Sequence, residues 1–383
     1  YSQVSPLARK HTISKVADRL ETLYRTANRE IDQETGLGKF VYLDMEEYRD
    51  LHLTAEVLCE SLDRPGLEAT RAGIALQAYI PDSFQVMNRL IDWSRQRVSR
   101  GSTPLTIRLV KGANLEMERV EASVGGHPQA CYLEKLHTDA NFKRMLCSLM
   151  HAAGGQYVRA GVASHNLFDV ALALVWAQAE GVTEYMQVEM LEGMANHQRR
   201  AISARNADML LYAPACRREG FLNAIGYLIR RLDENTGPQN FLRHAYRLQP
   251  DSPEFEKLAS DFRCALDSAD SVDDSPRRKQ DRRQPPVQPP VGEDWREFVN
   301  EPDTDWSLPH NADWAAHVLE GWQAKSGDAA TEVPLMIGTR WVEGEWREAH
   351  DPSRPGVVVC RYQVASLEQV NQAVSLAHAD TAD

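Results

Sequence analysis

Arg108 and Lys111 stand three residues apart in TIRLVKGANLE, residues 106–116, where an apolar run comes to an end. Side chains three apart on a strand point to opposite faces, unless the strand stops at Val110 and the backbone turns. Gly112 and Ala113 follow at once, so a turn is expected. Two cations at the carboxyl end of a strand suit a phosphate, or the anionic form of a reduced cofactor ring. The alternative is pairing with neighbouring acids such as Glu116 and Glu118. That alternative is simple for Lys111. It is harder for Arg108, which sits inside the apolar run, because a buried arginine needs partners.

A second constellation lies in FLNAIGYLIRRLDEN, residues 221–235. Placed on a helix, Phe221, Ile225, Leu228, Ile229 and Leu232 share one face, and Tyr227, Arg230, Arg231 and Glu234 share the other. Adjacent arginines can clamp a small carboxylate through bidentate contacts. The competing reading is a solvated charged face with an Arg–Glu pair. His165 closes RAGVASH and reads as a hydrogen-bonded structural histidine as readily as a catalyst. Asp44 opens DMEE at a strand end, where it suits a cationic substrate or a pair with Arg230 or Arg231. No GxGxxG, P-loop or GxSxG occurs, so a nucleotide cofactor would be held without a Rossmann fingerprint.

These groups need elements to position them. Residues 1 to about 245 alternate short apolar runs with amphipathic stretches. Strands are expected at 40–44, 73–79, 106–112, 157–165, 185–191 and 209–214, with helical patterns between them. Nearly continuous apolar runs fit strands buried on both sides, hence an α/β fold with a parallel sheet. An open doubly wound sheet accommodates six β/α units. Polar residues gather at the carboxyl ends of the strands (Asp44, Gln77, Lys111, His165 and Tyr212), which favours a TIM-like (βα)8 barrel with six of its eight units visible. The missing two are then expected upstream of Tyr1.

The chain has 383 residues, 43% of them hydrophobic, and a net charge of -12, so a general nucleic-acid surface is not expected. No apolar run approaches a membrane span. The six cysteines are scattered, with no CxxC pair and no zinc-like spacing, so no metal is expected and a reducing cytoplasmic compartment fits best. Residues 246–295 are charged and proline-rich and read as a flexible or extended linker. The basic RRKQDRR, 277–283, reads as part of that solvated linker, with an anionic surface as the alternative. From 296 the chain folds again: a hairpin over 335–346, a turn at 351–356, a strand in VVVCRYQV, and a helix opened by a capping box of Ser366 and Gln369.

Together LDMEE, IALQAY, IRLVKGA, ASHN, LLYAP and YLIRRLDEN, in this order, resemble the flavin-dependent proline dehydrogenase family over residues 1 to about 245. FVNEPDTDWSLPHN and DPSRPGVVVCRYQVASLEQVNQAV resemble the junction and opening of an aldehyde dehydrogenase domain, and that order matches a bifunctional family. The resemblance implies a barrel over 1–245, a linker over 246–295, and the start of an aldehyde dehydrogenase domain over 296–383. It implies oxidation of L-proline to pyrroline carboxylate, with hydride passing to FAD and electrons to a quinone at a membrane surface. It further implies NAD for the downstream domain, whose nucleophilic cysteine is expected beyond Asp383, and a homo-oligomer at full length. A cytoplasmic location, peripheral to the inner membrane, goes with it.

By the same resemblance, Gln77, Arg108, Val110, Lys111, Gly112, Ala163, Ser164, His165, Glu189, Leu191 and Glu234 hold the cofactor. Arg230 and Arg231 clamp the proline carboxylate, Glu234 steadies them, and Asp44, Leu109, Asn114, Tyr212 and Tyr227 shape the pocket. Asp44, Tyr212, Arg230, Arg231 and Glu234 are the catalytic candidates. Two positions depart from the family pattern: Asn114 stands where Tyr follows VKGA, and Glu189 stands where Gln is usual. A different flavin barrel, or a barrel that only anchors the second domain, are the alternatives.

Overall fold

Strands form at all six of the apolar runs. The structure is a computed structural model describing residues 5–205, 208–213, 215–222, 224–226, 229, 240–245, 248–285, 296 and 300–379. It divides into two units, Tyr1–Asn311 and Ala312–Asp383. In the first, strands β1 (Val41–Leu43), β2 (Ala72–Gln77), β3 (Leu105–Val110), β4 (Val158–Ala163), β5 (Met186–Leu191) and β6 (Met209–Tyr212) form one sheet in sequential order, every pair parallel. The helices are α1 (Arg9–Arg29), α2 (Leu51–Leu62), α3 (Ser83–Ser99), α4 (Leu115–Gly125), α5 (Lys135–Gly154), α6 (Leu167–Ala179), α7 (Asn196–Ser203), α8 (Phe241–Ala245) and α9 (Pro253–Asp267).

The sheet is curled. Four strand spacings separate β1 from β5, which in a flat sheet is roughly 19 Å. Yet Tyr42 Oη on β1 donates to Glu189 Oε1 on β5 at 2.5 Å. Only a sheet closing on itself, as in a barrel, allows that contact. Ile107 and Leu109 on β3 point into the apolar layer beneath the helices, fully buried, while Arg108 between them points into the bore. Gly161 on β4 leaves room for the bridge, because a Cβ there would collide with the Glu189 carboxylate and crowd Tyr42 Oη.

The stretch expected as a flexible linker differs in its described part. Residues 253–267 form helix α9, packed on α5 and α6. Its Phe255 and Phe262 lie 5.3 and 5.6 Å from the Phe168 ring. Beyond it the chain is pinned to the loop before α5. Tyr132 Oη donates to the carbonyl of Asp273 at 2.5 Å, Arg277 Nε to that of Gln129 at 2.8 Å, and Arg278 Nε to that of Pro128 at 3.1 Å. Arg282 donates to the carbonyl of Pro302 at 2.9 Å. These arginines of the basic cluster thus satisfy the protein's own carbonyls. Arg278 is 4% exposed, which is incompatible with a solvated linker. Residues 286–295 lie outside the described residues.

The second unit has β7 (Thr331–Val333), β8 (Leu335–Ile337), β9 (Arg340–Val342), β10 (Glu345–His350), β11 (Val358–Val364) and the helix Leu367–Ala379. β8 and β9 form the expected hairpin, turning at Gly338 with φ +61°. The capping box is formed: Gln369 N–H donates to Ser366 Oγ at 3.2 Å, and Ser366 N–H donates to Gln369 Oε1 at 2.8 Å.

Candidate active site

A cavity of about 920 Å³ opens at the carboxyl ends of the six strands, where a barrel of this kind carries its site. That size lies near the top of the range of ~300–1,000 Å³ usual for ligand pockets. Each strand end contributes. β1 gives Asp44, β2 gives Gln77, and β3 gives Arg108, Val110, Lys111, Gly112 and Asn114. β4 gives Ala163, Ser164 and His165, β5 gives Glu189 and Leu191, and β6 gives Tyr212. Leu109 is the exception: strand alternation turns it away into the core, and it does not line the cavity. Tyr227, Arg230, Arg231 and Glu234 lie outside the described residues.

The turn expected after β3 is present. The strand ends at Val110, and Gly112 takes φ +133°, where a Cβ would meet the Tyr79 ring at 2.5 Å. The turn brings Lys111 to the same cavity as Arg108. Neither cation pairs with Glu116 or Glu118. Arg108 donates through Nε to Glu189 Oε2, and through Nη1 to Asp44 Oδ1 at 3.0 Å. Its guanidinium lies 3.9 Å from the Tyr42 ring centre. Burial opposes the charge of Arg108, but Glu189 and the neighbouring groups hold its pKa above the usual value. Tyr42 is pushed strongly up, by burial first and by Glu189 second.

Lys111 lies 2.5 Å from Asp139 Oδ1 and 2.7 Å from Asp169 Oδ2. Lys143 donates to Asp169 Oδ1 at 3.1 Å, and Lys135 pairs with Asp139. Burial works against the charge on Lys111, and Asp169 and Asp139 more than offset it, so its pKa rises. Lys143 is shifted down, by burial first and then by Lys111. These partners were not foreseen. A signal was present, since Lys135, Asp139 and Lys143 repeat at i, i+4 on one helix face. Asp169 sits in the first turn of α6, behind the N-cap Asn166.

Two orphan groups point to a polar occupant. Gln77 donates through Nε2 to the carbonyls of Met45 at 2.9 Å and Glu46 at 3.1 Å, which leaves Oε1 buried without a partner. His165 Nε2 accepts from Leu191 N–H at 3.3 Å, and its Nδ1 is buried without a partner. Burial lowers the pKa of His165, so its ring is neutral, and with Nε2 accepting, Nδ1 carries the proton. An amide oxygen acceptor and an imidazole N–H donor call for one donor and one acceptor on the group that occupies the cavity. α9, in the supposed linker, closes the far side of the cavity with Lys257 and Phe262. Sequence reasoning missed that contribution. Among the described residues no His, Cys, Asp and Glu cluster suits a metal ion.

Comparison with known proteins agrees with this geometry. The bifunctional protein PutA of Escherichia coli (strain K12) is 27% identical over 229 residues, covering 58% of this chain and 16% of that protein. The proline utilization A structure from Corynebacterium freiburgense matches at 35% identity and TM-score 0.66, covering 82% of this chain and 28% of that one. That from Bdellovibrio bacteriovorus, inactivated by N-propargylglycine, matches at 27% and 0.75, covering 99% and 36%. The chain thus spans about a sixth of the curated relative's length and about a third of the solved ones. The family model for proline dehydrogenase fits residues 2–244, the stretch that builds all six strands and most of the cavity, and the chain belongs to the proline dehydrogenase family.

Proposed function

We propose that this chain carries the proline-oxidising site of a bifunctional enzyme, with FAD as the resident cofactor. The observation that carries the reading is the cavity at the strand ends, where the orphan Gln77 Oε1 and His165 Nδ1 sit beside Arg108 in a member of this family. Gln77, Arg108, Val110, Lys111, Gly112, Ala163, Ser164, His165, Glu189 and Leu191 are proposed to hold the cofactor, with Glu234. Arg230 and Arg231 are proposed to bind the proline carboxylate, with Asp44, Asn114, Tyr212 and Tyr227 around the ring. When bound, the flavin supplies the two-electron acceptor for a hydride leaving the carbon next to the proline nitrogen. The chain's own residues orient that carbon, exclude water, and offset the charge of the carboxylate. Arg108 anchors the mouth of the bore between Asp44 and Glu189. Lys111 is fixed by Asp139 and Asp169, so its ammonium holds one position at the cavity wall.

Electrons are proposed to pass to a quinone at a membrane surface, by peripheral contact of a cytoplasmic protein. No helix among the described residues is long and apolar enough to cross a membrane. Residues 296–383 are proposed as the opening of an NAD-dependent glutamate semialdehyde dehydrogenase domain, and the full-length protein as a homo-oligomer. The test is an anaerobic visible spectrum of the full-length protein before and after L-proline. A flavin band that bleaches is expected. A band that persists removes proline as the substrate, and the absence of any band removes the cofactor.

A further inference from the structure

The cations at the carboxyl end of β3 are not free charges. Arg108 is 8% exposed and meets two carboxylates in different settings. Asp44 has 46% of its side chain exposed, so water screens it. Glu189 is 3% exposed and accepts from Arg108 Nε, from Tyr42 Oη at 2.5 Å and from Gln187 Nε2 at 2.9 Å. Three donors therefore fix it, and β1, β3 and β5 all contribute to its place in the bore. Among the described residues the two carboxylates take Nε and Nη1 of Arg108.

We infer that Glu189 sets the charge at the ring end of the cavity, cancelling Arg108 so that a bound flavin lies beside a neutral pair and not beside a cation. The inference rests on the flavin reading above. An uncompensated guanidinium stabilises negative charge on the ring and raises its affinity for electrons and for anionic nucleophiles. A buried carboxylate on that guanidinium works against both. Glu189 thus acts on the ring through Arg108, as a positioning and charge-setting residue.

Sulfite reports this charge without turnover. Its sulfur lone pair forms a bond to the oxidised ring with no leaving group, and the ring takes up the electron pair as negative charge. The variant Glu189→Gln keeps the shape and an acceptor for Arg108 while removing the charge. In the flavin-loaded full-length protein it is expected to bind sulfite at least about tenfold more tightly, since one unit charge a few ångströms away at an effective dielectric of ~20 acts with more than that strength. Its midpoint potential is expected to become more positive. Tyr42→Phe removes one hydrogen bond but no charge and is expected to titrate like the parent.

Equal sulfite affinity in Glu189→Gln and the parent, both holding flavin, overturns the inference. So does a Tyr42→Phe variant that reproduces the shift, because packing would then be the cause. A parent protein that holds no flavin overturns the underlying reading, and this inference with it. Should Glu189→Gln not fold, Asp44→Asn takes its place. A shift below about threefold is expected for that screened carboxylate, and a tenfold shift would assign the control to Asp44 instead.

Discussion

Arg108 and Lys111 leave the same strand end, yet they are neutralised in different ways. Arg108 takes its partners from the sheet itself: Glu189 on β5 and Asp44 just past β1. Lys111 takes both of its partners from helices, Asp139 on α5 and Asp169 on α6, with Lys135 and Lys143 extending the cluster. Asp169 is fully buried, whereas Asp44 is half in water. The lysine cluster therefore ties helices to the sheet and is closed. The arginine cluster keeps one wet partner, Asp44. Of two cations at one strand end, one is locked into the wall by helix carboxylates and the other is held in the bore by carboxylates of the sheet.

The sharpest way to break this contrast is Asp169→Asn. Lys111 and Lys143 both lose a partner in a region with little water, and removing one side of a buried ion pair costs about 3–5 kcal/mol. Urea denaturation of the variant is expected to show a loss of that size. A loss below about 1 kcal/mol would place the lysine cluster in the same class as an exposed pair.

Acid tests the same cluster from the other side. Burial alone would raise the Asp139 carboxyl, but Lys111 and then Lys135 bring it down from 3.8 to about 2. A carboxyl depressed on folding contributes stability that is fully present above its unfolded value and lost as pH falls through its folded one. The window for Asp139 thus runs from about 4 down to about 2, and the shift corresponds to roughly 2 kcal/mol. Stability measured against pH is expected to fall across this window in the parent and to be flatter in Asp139→Asn. Parallel curves would show that Lys111 draws its stability from Asp169 alone.

The strands were legible because strands buried on both sides must be apolar throughout, and because the residues that end them face the cavity. The turn at Gly112 was legible from residue type alone. The partners of Arg108 were not. Asp44 and Glu189 are 64 and 81 residues away in sequence, and only the curl of the sheet brings them together. Helix α9 was hidden by its composition, since Pro253, Glu254, Glu256 and Lys257 read as linker. Its start signal was nevertheless present: Ser252 caps the helix by accepting from Phe255 N–H at 3.2 Å, with Pro253 in the first turn. Phe255 and Phe262, seven apart, then mark the face that packs on Phe168. The arginine pair at 230 and 231 had the clearest substrate logic in the sequence, and it lies outside the described residues.

Asp44 sharpens the contrast at its weak end. It reaches Arg108 Nη1 at 3.0 Å, a good distance, but nearly half of its side chain is in water. Exposed pairs of this kind contribute about 0–1 kcal/mol, because water already solvates the carboxylate and ordering it costs entropy. Asp44→Asn is therefore expected to lower the urea unfolding free energy by no more than that, while Asp169→Asn lowers it severalfold more. Arg108 keeps Glu189 on Nε in the variant, so the guanidinium stays in the bore. A loss above about 2 kcal/mol for Asp44→Asn would mean that the wet carboxylate, and not the buried one, holds the arginine in place.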